Sequence, residues 1–117
     1  MDFPERDWKR LRALQPVALD RYCTRVLEES AAIIGHSESP HERYLRLYRL
    51  LQERDATMAA AFDDLRRSTA TRRLASLVGL DLLTEDELSE FSPSVRDTAS
   101  GLSKLFAPTK PRSRARS

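Results

Sequence analysis

Glu38-Ser39-Pro40-His41 is the stretch of this 117-residue chain closest to a metal motif. A carboxylate and an imidazole three residues apart are the spacing of di-iron helix bundles. Those sites use the motif twice, on helix interiors, with two further inward carboxylates. Here the pattern occurs once and straddles a helix start, so Glu38 falls outside the helix that carries His41. His36 stands nearby, so His36, Glu38 and His41 amount to a weak surface cation site at most. No metal or cofactor is expected.

Paired acids occur at Glu28-Glu29 and Asp63-Asp64. Adjacent helical residues diverge by about 100°, so neither pair converges on a substrate without help from elsewhere. Asp63 with Arg66 or Arg67, and Asp64 with Arg67, have the spacing of helix-surface ion pairs. The chain has no Gly-rich phosphate loop, no His-Glu-x-x-His and no Cys-x-x-Cys. Its one cysteine, Cys23, cannot form an intramolecular disulfide; on the apolar side of a predicted helix it reads as a buried, inert thiol. These features argue against an enzyme.

Basic residues offer a second kind of chemistry. Arg66, Arg67, Arg72 and Arg73 cluster in sequence, and Lys110, Arg112, Arg114 and Arg116 supply +4 in the tail. The whole chain carries +2, so residues 1–109 carry −2. An acidic body offers no broad basic face, and no helix-turn-helix spacing leads into a recognition helix. Tail-only binding would neutralise about four phosphates and weaken steeply with salt. An accessory nucleic-acid binder using these eight residues is therefore the alternative reading.

The elements that must position these groups are helical. Charged residues make up 32% of the chain and aromatics 7%, a balance that favours helices over sheet. Ser39 to Thr69 reads as one long amphipathic rod. Ser39 caps it, Pro40 suits its first position and Glu42 closes a capping box. About 30 residues at about 1.5 Å each give a rod roughly 45 Å long. Tyr44, Leu45, Leu47, Tyr48, Leu50 and Leu51 spread over roughly 220° of its circumference, against a little over about 100° for a helix with one buried face. Arg54 and Asp55 fall inside the stripe: either the seam surfaces there and both side chains are solvated, or they form a paired polar layer that sets register, as polar seam residues do in coiled coils. Met58 to Ala61 then offers small side chains and high helix propensity.

Residues 4–34 form the preceding helix, with Trp8, Leu11, Leu14, Ala18, Leu19, Tyr22, Val26, Ile33 and Ile34 in phase. Pro16 kinks it without ending it, and Gly35 caps it. The short link to Ser39 makes the two helices an antiparallel hairpin. A bend or break follows near 68–73, then helical turns to Gly79. Leu80 to Leu83 is an apolar connector. Thr84 and Glu87 form a capping box for a short helix, and Ser92-Pro93 opens a last one carrying Val95, Ala99, Leu102 and Phe106. Residues 107–117 are polar, basic and Pro-containing, a composition that stays disordered when free.

The sequence thus implies an all-α domain over 1–106: a long antiparallel helical hairpin with a C-terminal helical segment packed on it, then a basic tail. The opening MDFPERDWKR has no apolar run and no stretch approaches the roughly 20 apolar residues of a membrane span, so a cytoplasmic protein without signal peptide or membrane contact is expected. The surplus apolar arc points to protein–protein interaction, beginning with a homodimer and extending to an unidentified protein partner. Its expected carriers are Tyr44, Leu47, Tyr48, Leu51, Met58 and Phe62, with Arg54 and Asp55 setting register.

Overall fold

The computed structural model describes residues 3–106, and every regular element among them is helical. The α-helices are α1 (Glu5–Ile34), α2 (Pro40–Phe62), α3 (Ala70–Gly79), α4 (Glu85–Ser89) and α5 (Pro93–Leu102), with 3₁₀ turns at Arg67–Thr69 and Ser103–Leu105. The expected tail, 107–117, lies outside the described residues.

Helix α1 starts after Pro4, with Glu5 and Asp7 in its first turn, where acidic charge meets the positive end of the helix dipole. Pro16 sits inside it, and the helix runs on. The apolar phase survives the proline: Leu11, Leu14, Ala18, Tyr22, Val26 and Ile33 are all buried. Tertiary packing on both sides of Pro16 holds the helix where one backbone bond is lost. Gly35 closes the end by donating its N–H to Ala31 O at 3.0 Å. Helix α2 opens at the expected cap, with the Ser39 hydroxyl accepting from the Glu42 N–H at 3.2 Å and Pro40 in the first turn. The Glu42 carboxylate does not return a bond to the Ser39 N–H, so only half of the expected capping box forms.

Contacts between α1 and α2 run in opposite directions along the two helices. Gln15 Nε2 donates to Phe62 O and the Tyr22 hydroxyl to Arg54 O, both at 2.9 Å, while an Arg43 guanidinium N–H reaches Ile34 O.

The rod expected to run to Thr69 ends at Phe62. Asp63 turns extended and Asp64 adopts φ 61°, a left-handed conformation that Asp tolerates better than most residues. Thr69 fixes the turn: its hydroxyl donates to Asp64 O at 2.8 Å and accepts from the Arg66 N–H at 3.0 Å. The break therefore precedes the expected 68–73 window. Acids expected to sit on a helix surface instead form the turn, where Asp64 takes a left-handed conformation and its carboxylate binds the Arg66 side chain.

Helix α3 packs back against α1, α2 and α5. The connector Leu80–Leu83 buries Leu80 and Leu82, and the capping box of Thr84 and Glu87 opens α4. Ser92 stands at the N-cap of α5, but its side chain does not cap the helix; it binds Asp7 instead.

The core lies at one end of the hairpin. It gathers Leu11, Leu14, Ala18 and Tyr22 of α1 with Leu74 and Leu77 of α3, Leu82, Phe91, Val95 and Ala99. Helix α2 contributes only Ala61 and Phe62 to the buried set. The rest of α2 and the last third of α1 form a two-helix arm that projects past the core. Hence the long outline, 52 × 28 × 21 Å, and a radius of gyration of 16.3 Å against about 13 Å for a compact domain of this size.

Candidate interaction surface

On the arm, large apolar side chains stay in solvent. Tyr44 is 64% exposed, Tyr48 54% and Leu51 45%; on α1, Leu27 is 68% exposed and Ile34 55%. The two tyrosine rings stack on each other, with centroids 6.4 Å apart and planes 17° from parallel. Among the described residues neither tyrosine hydroxyl has a hydrogen-bond partner, and Asp55 pairs with no cation.

These residues share one side of the hairpin. Placed at about 100° per residue, Leu27 and Ile34 lie roughly 120–140° round α1 from Tyr22 in one sense. Arg21 and Arg25, which reach the 80–82 connector, lie roughly 60–100° round in the other. For two antiparallel helices, the same sense of rotation on each opens to the same side. Tyr44, Tyr48, Leu51 and Asp55 lie roughly 60–120° round α2 from Arg54 in that sense, so they flank Leu27 and Ile34. A shallow groove between the helices is lined by Val26, Tyr48, Leu51, Gln52, Arg54, Asp55 and Met58. Helices α3–α5 cover the opposite side.

The other expected interface residues fall elsewhere. Phe62 is buried, its ring 6.2 Å from that of Tyr22, and is a core residue of this chain; the apolar stripe could not reveal that the chain folds back directly after it. Leu47 is half-buried on the seam with α1, and Met58 packs at the edge of the core. Arg54 forms a two-pronged pair with Glu29 of α1 at 2.9 and 3.0 Å, which ties α2 to α1 within the hairpin, and that carboxylate raises the guanidinium pKa. Arg54 and Asp55 do not pair. Leu27 was not singled out by the sequence, because it lies outside the phase of the α1 stripe. Ile34 was placed in that stripe, yet it is exposed.

The arginine cluster is dispersed by local partners. Arg66 pairs with Asp64 at 2.7 Å, which holds that carboxyl below its ordinary range. Arg67 pairs with Glu5 and donates to Phe3 O, tying the start of the chain to the turn before α3. Arg73 donates to Ala60 O, while Arg72 is exposed. The pairs expected of Asp63 and Asp64 along a helix are replaced by Asp64–Arg66 in the turn. Lys110, Arg112, Arg114 and Arg116 lie outside the described residues.

At the hairpin tip, His36 Nδ1 stands 3.6 Å from Glu38, and Glu38 is taken by Arg46, whose hydrogen bond lowers its pKa. Among the described residues, no three His, Cys, Asp or Glu side chains gather as a metal site. Cys23 is a half-buried free thiol. No described helix is long and apolar enough to cross a membrane. No protein-family model, curated protein or solved structure matches the chain.

Proposed function

We propose that this chain is a cytoplasmic helical interaction module that self-associates as a homodimer through the open side of the α1–α2 arm, with no catalytic role of its own. One observation carries the reading: Leu27, Ile34, Tyr44, Tyr48 and Leu51 stay largely exposed on one side of a two-helix arm. At about 200 Å² for a large side chain, their exposed parts come to roughly 550 Å². That is at the upper end of what a monomer leaves open, and it matches what each partner contributes to an interface of about 1,000 Å².

The composition of the patch supports this. Tyrosine is a preferred interface residue, because it adds much apolar contact at little entropic cost and keeps a polar tip. Asp55 is the only charge in the α2 stripe from Tyr44 to Met58. Light scattering on the full chain at tens of micromolar tests the reading. A mass twice the 13.4 kDa of one chain is expected. A single-chain mass across that range would refute it.

A further inference from the structure

The exposed members of the α2 stripe are spaced symmetrically about their own centre. Tyr44, Tyr48, Leu51 and Asp55 are spaced four, three and four residues apart, so the series reads the same from either end. Alternating steps of three and four are the spacing of a helix-to-helix seam. An antiparallel copy of α2 laid across the midpoint sets Tyr48 against Leu51 and Tyr44 against Asp55, twice over.

From this we infer that two copies of the chain pack arm to arm with their α2 helices antiparallel. The Tyr44 hydroxyl of each then donates to Asp55 of the second copy. This pairing rests on the self-association proposed above and adds its geometry and register. It gives the one charge in the exposed stripe a donor, and gives a hydroxyl that has no partner among the described residues an acceptor.

Helix α1 agrees independently. Tyr22 lies level with Arg54, and Ile34 level with Arg43, through their hydrogen bonds. Five residues on from Tyr22 is Leu27, and the stripe's midpoint is four to five residues back from Arg54. Leu27, at 68% the most exposed apolar side chain of α1, therefore lies at the level of the two-fold axis, opposite itself in the second copy. The same rotation carries the two α3–α5 layers to opposite outer sides of the assembly, clear of the seam. Each arm then becomes half of a four-helix bundle, the arrangement that buries a hairpin's spare apolar side.

Charge exchange in the full chain tests this register. Tyr44→Glu sets a carboxylate against Asp55 of the second copy and should weaken association at least tenfold, measured by sedimentation equilibrium. Adding Asp55→Lys in the same chain should restore the affinity to within about threefold of the parent. Residues 44 and 55 are eleven apart on one helix, so the rescue cannot arise within a chain. Both side chains are exposed, and unchanged helicity by circular dichroism checks that each variant folds. Leu27→Cys on a Cys23→Ser background should oxidise to a covalent dimer, where Ile34→Cys should not. If the parent dimerises but Tyr44→Glu has no effect, or Asp55→Lys fails to rescue it, this register is overturned and the self-association stands. A parent chain that stays monomeric at tens of micromolar overturns both.

Discussion

Ser92 gives both its backbone N–H and its hydroxyl to the Asp7 carboxylate, at 2.9 and 2.7 Å, across 85 residues of sequence. The Asp7 side chain is fully buried. It lies in the first turn of α1, where the helix dipole favours its charge, and it locks the start of the first long helix to the start of the last. Hydrogen bonds to a charged group contribute about 1.5–3 kcal/mol each in net terms. Ser92→Ala should cost about that much in chemical denaturation, and Asp7→Ala about 2–4 kcal/mol, because it strands both donors of the half-buried Ser92. The double variant should cost less than the sum, since both changes break one pair.

Acid weakens a second tie. Arg21 grips Glu87 with two hydrogen bonds, at 2.7 and 2.9 Å, and also donates to Leu82 O. The Arg21 hydrogen bonds, with the cap to Thr84, pull the Glu87 pKa from 4.5 down to about 2. A depressed carboxylate pKa stabilises the fold above the unfolded value, and that contribution fades as pH falls from about 4.5 to about 2. Thermal melts between pH 6 and pH 2 should show a loss over this window. Glu87→Gln should lower the melting temperature at pH 6 and flatten the slope; an unchanged slope would contradict the assignment.

Two glycines should respond in opposite directions. A Cβ on Gly79 would lie 2.4 Å from the Ser103 carbonyl oxygen and 3.1 Å from the Phe106 backbone carbon, so α3 and the last turn meet backbone to backbone there. Gly79→Ala forces main chain to move and should cost about 1–3 kcal/mol. Nothing stands within 4 Å of a Cβ on Gly101, which is exposed in α5. Gly101→Ala should stabilise by about 0.5–1 kcal/mol through helix propensity. Melting temperatures of the two variants check both signs.

Local signals in the sequence carried most of the helical architecture. Ser39-Pro40 and Thr84-x-x-Glu87 cap their helices where cap chemistry puts them, and the α1 stripe crosses Pro16 in phase. Distant partnerships were not legible. By its place in the sequence Asp7 is an ordinary acid near the start of a helix, and only the fold brings Ser92 to it. Phe62 belonged to the same helical stripe as Tyr48, and only the reversal at Asp64 separates a core residue from an exposed one. Leu27 is inconspicuous for a related reason: a lone leucine outside the buried phase is ordinary until a neighbouring helix turns Tyr48 and Leu51 to the same side of the hairpin. Periodicity records which residues share a face of one element, but it does not say which faces the finished chain leaves open.

That distinction sets the last prediction. Leu11 is fully buried, and Leu11→Ala should cost about 2–5 kcal/mol whatever the protein concentration, because the loss lies inside one chain. Leu27 and Tyr48 touch solvent, so Leu27→Ser with Tyr48→Ser removes little packing from a single chain. Both residues belong to the proposed seam between copies, where association would stabilise the folded state by mass action. The parent melting temperature should therefore rise with concentration from about 1 to about 100 μM. In the double variant it should stay flat and meet the parent value at the dilute end. A parent melting temperature independent of concentration, or a double variant that melts far below the dilute parent, would mean that these side chains stabilise the single chain and not the pair.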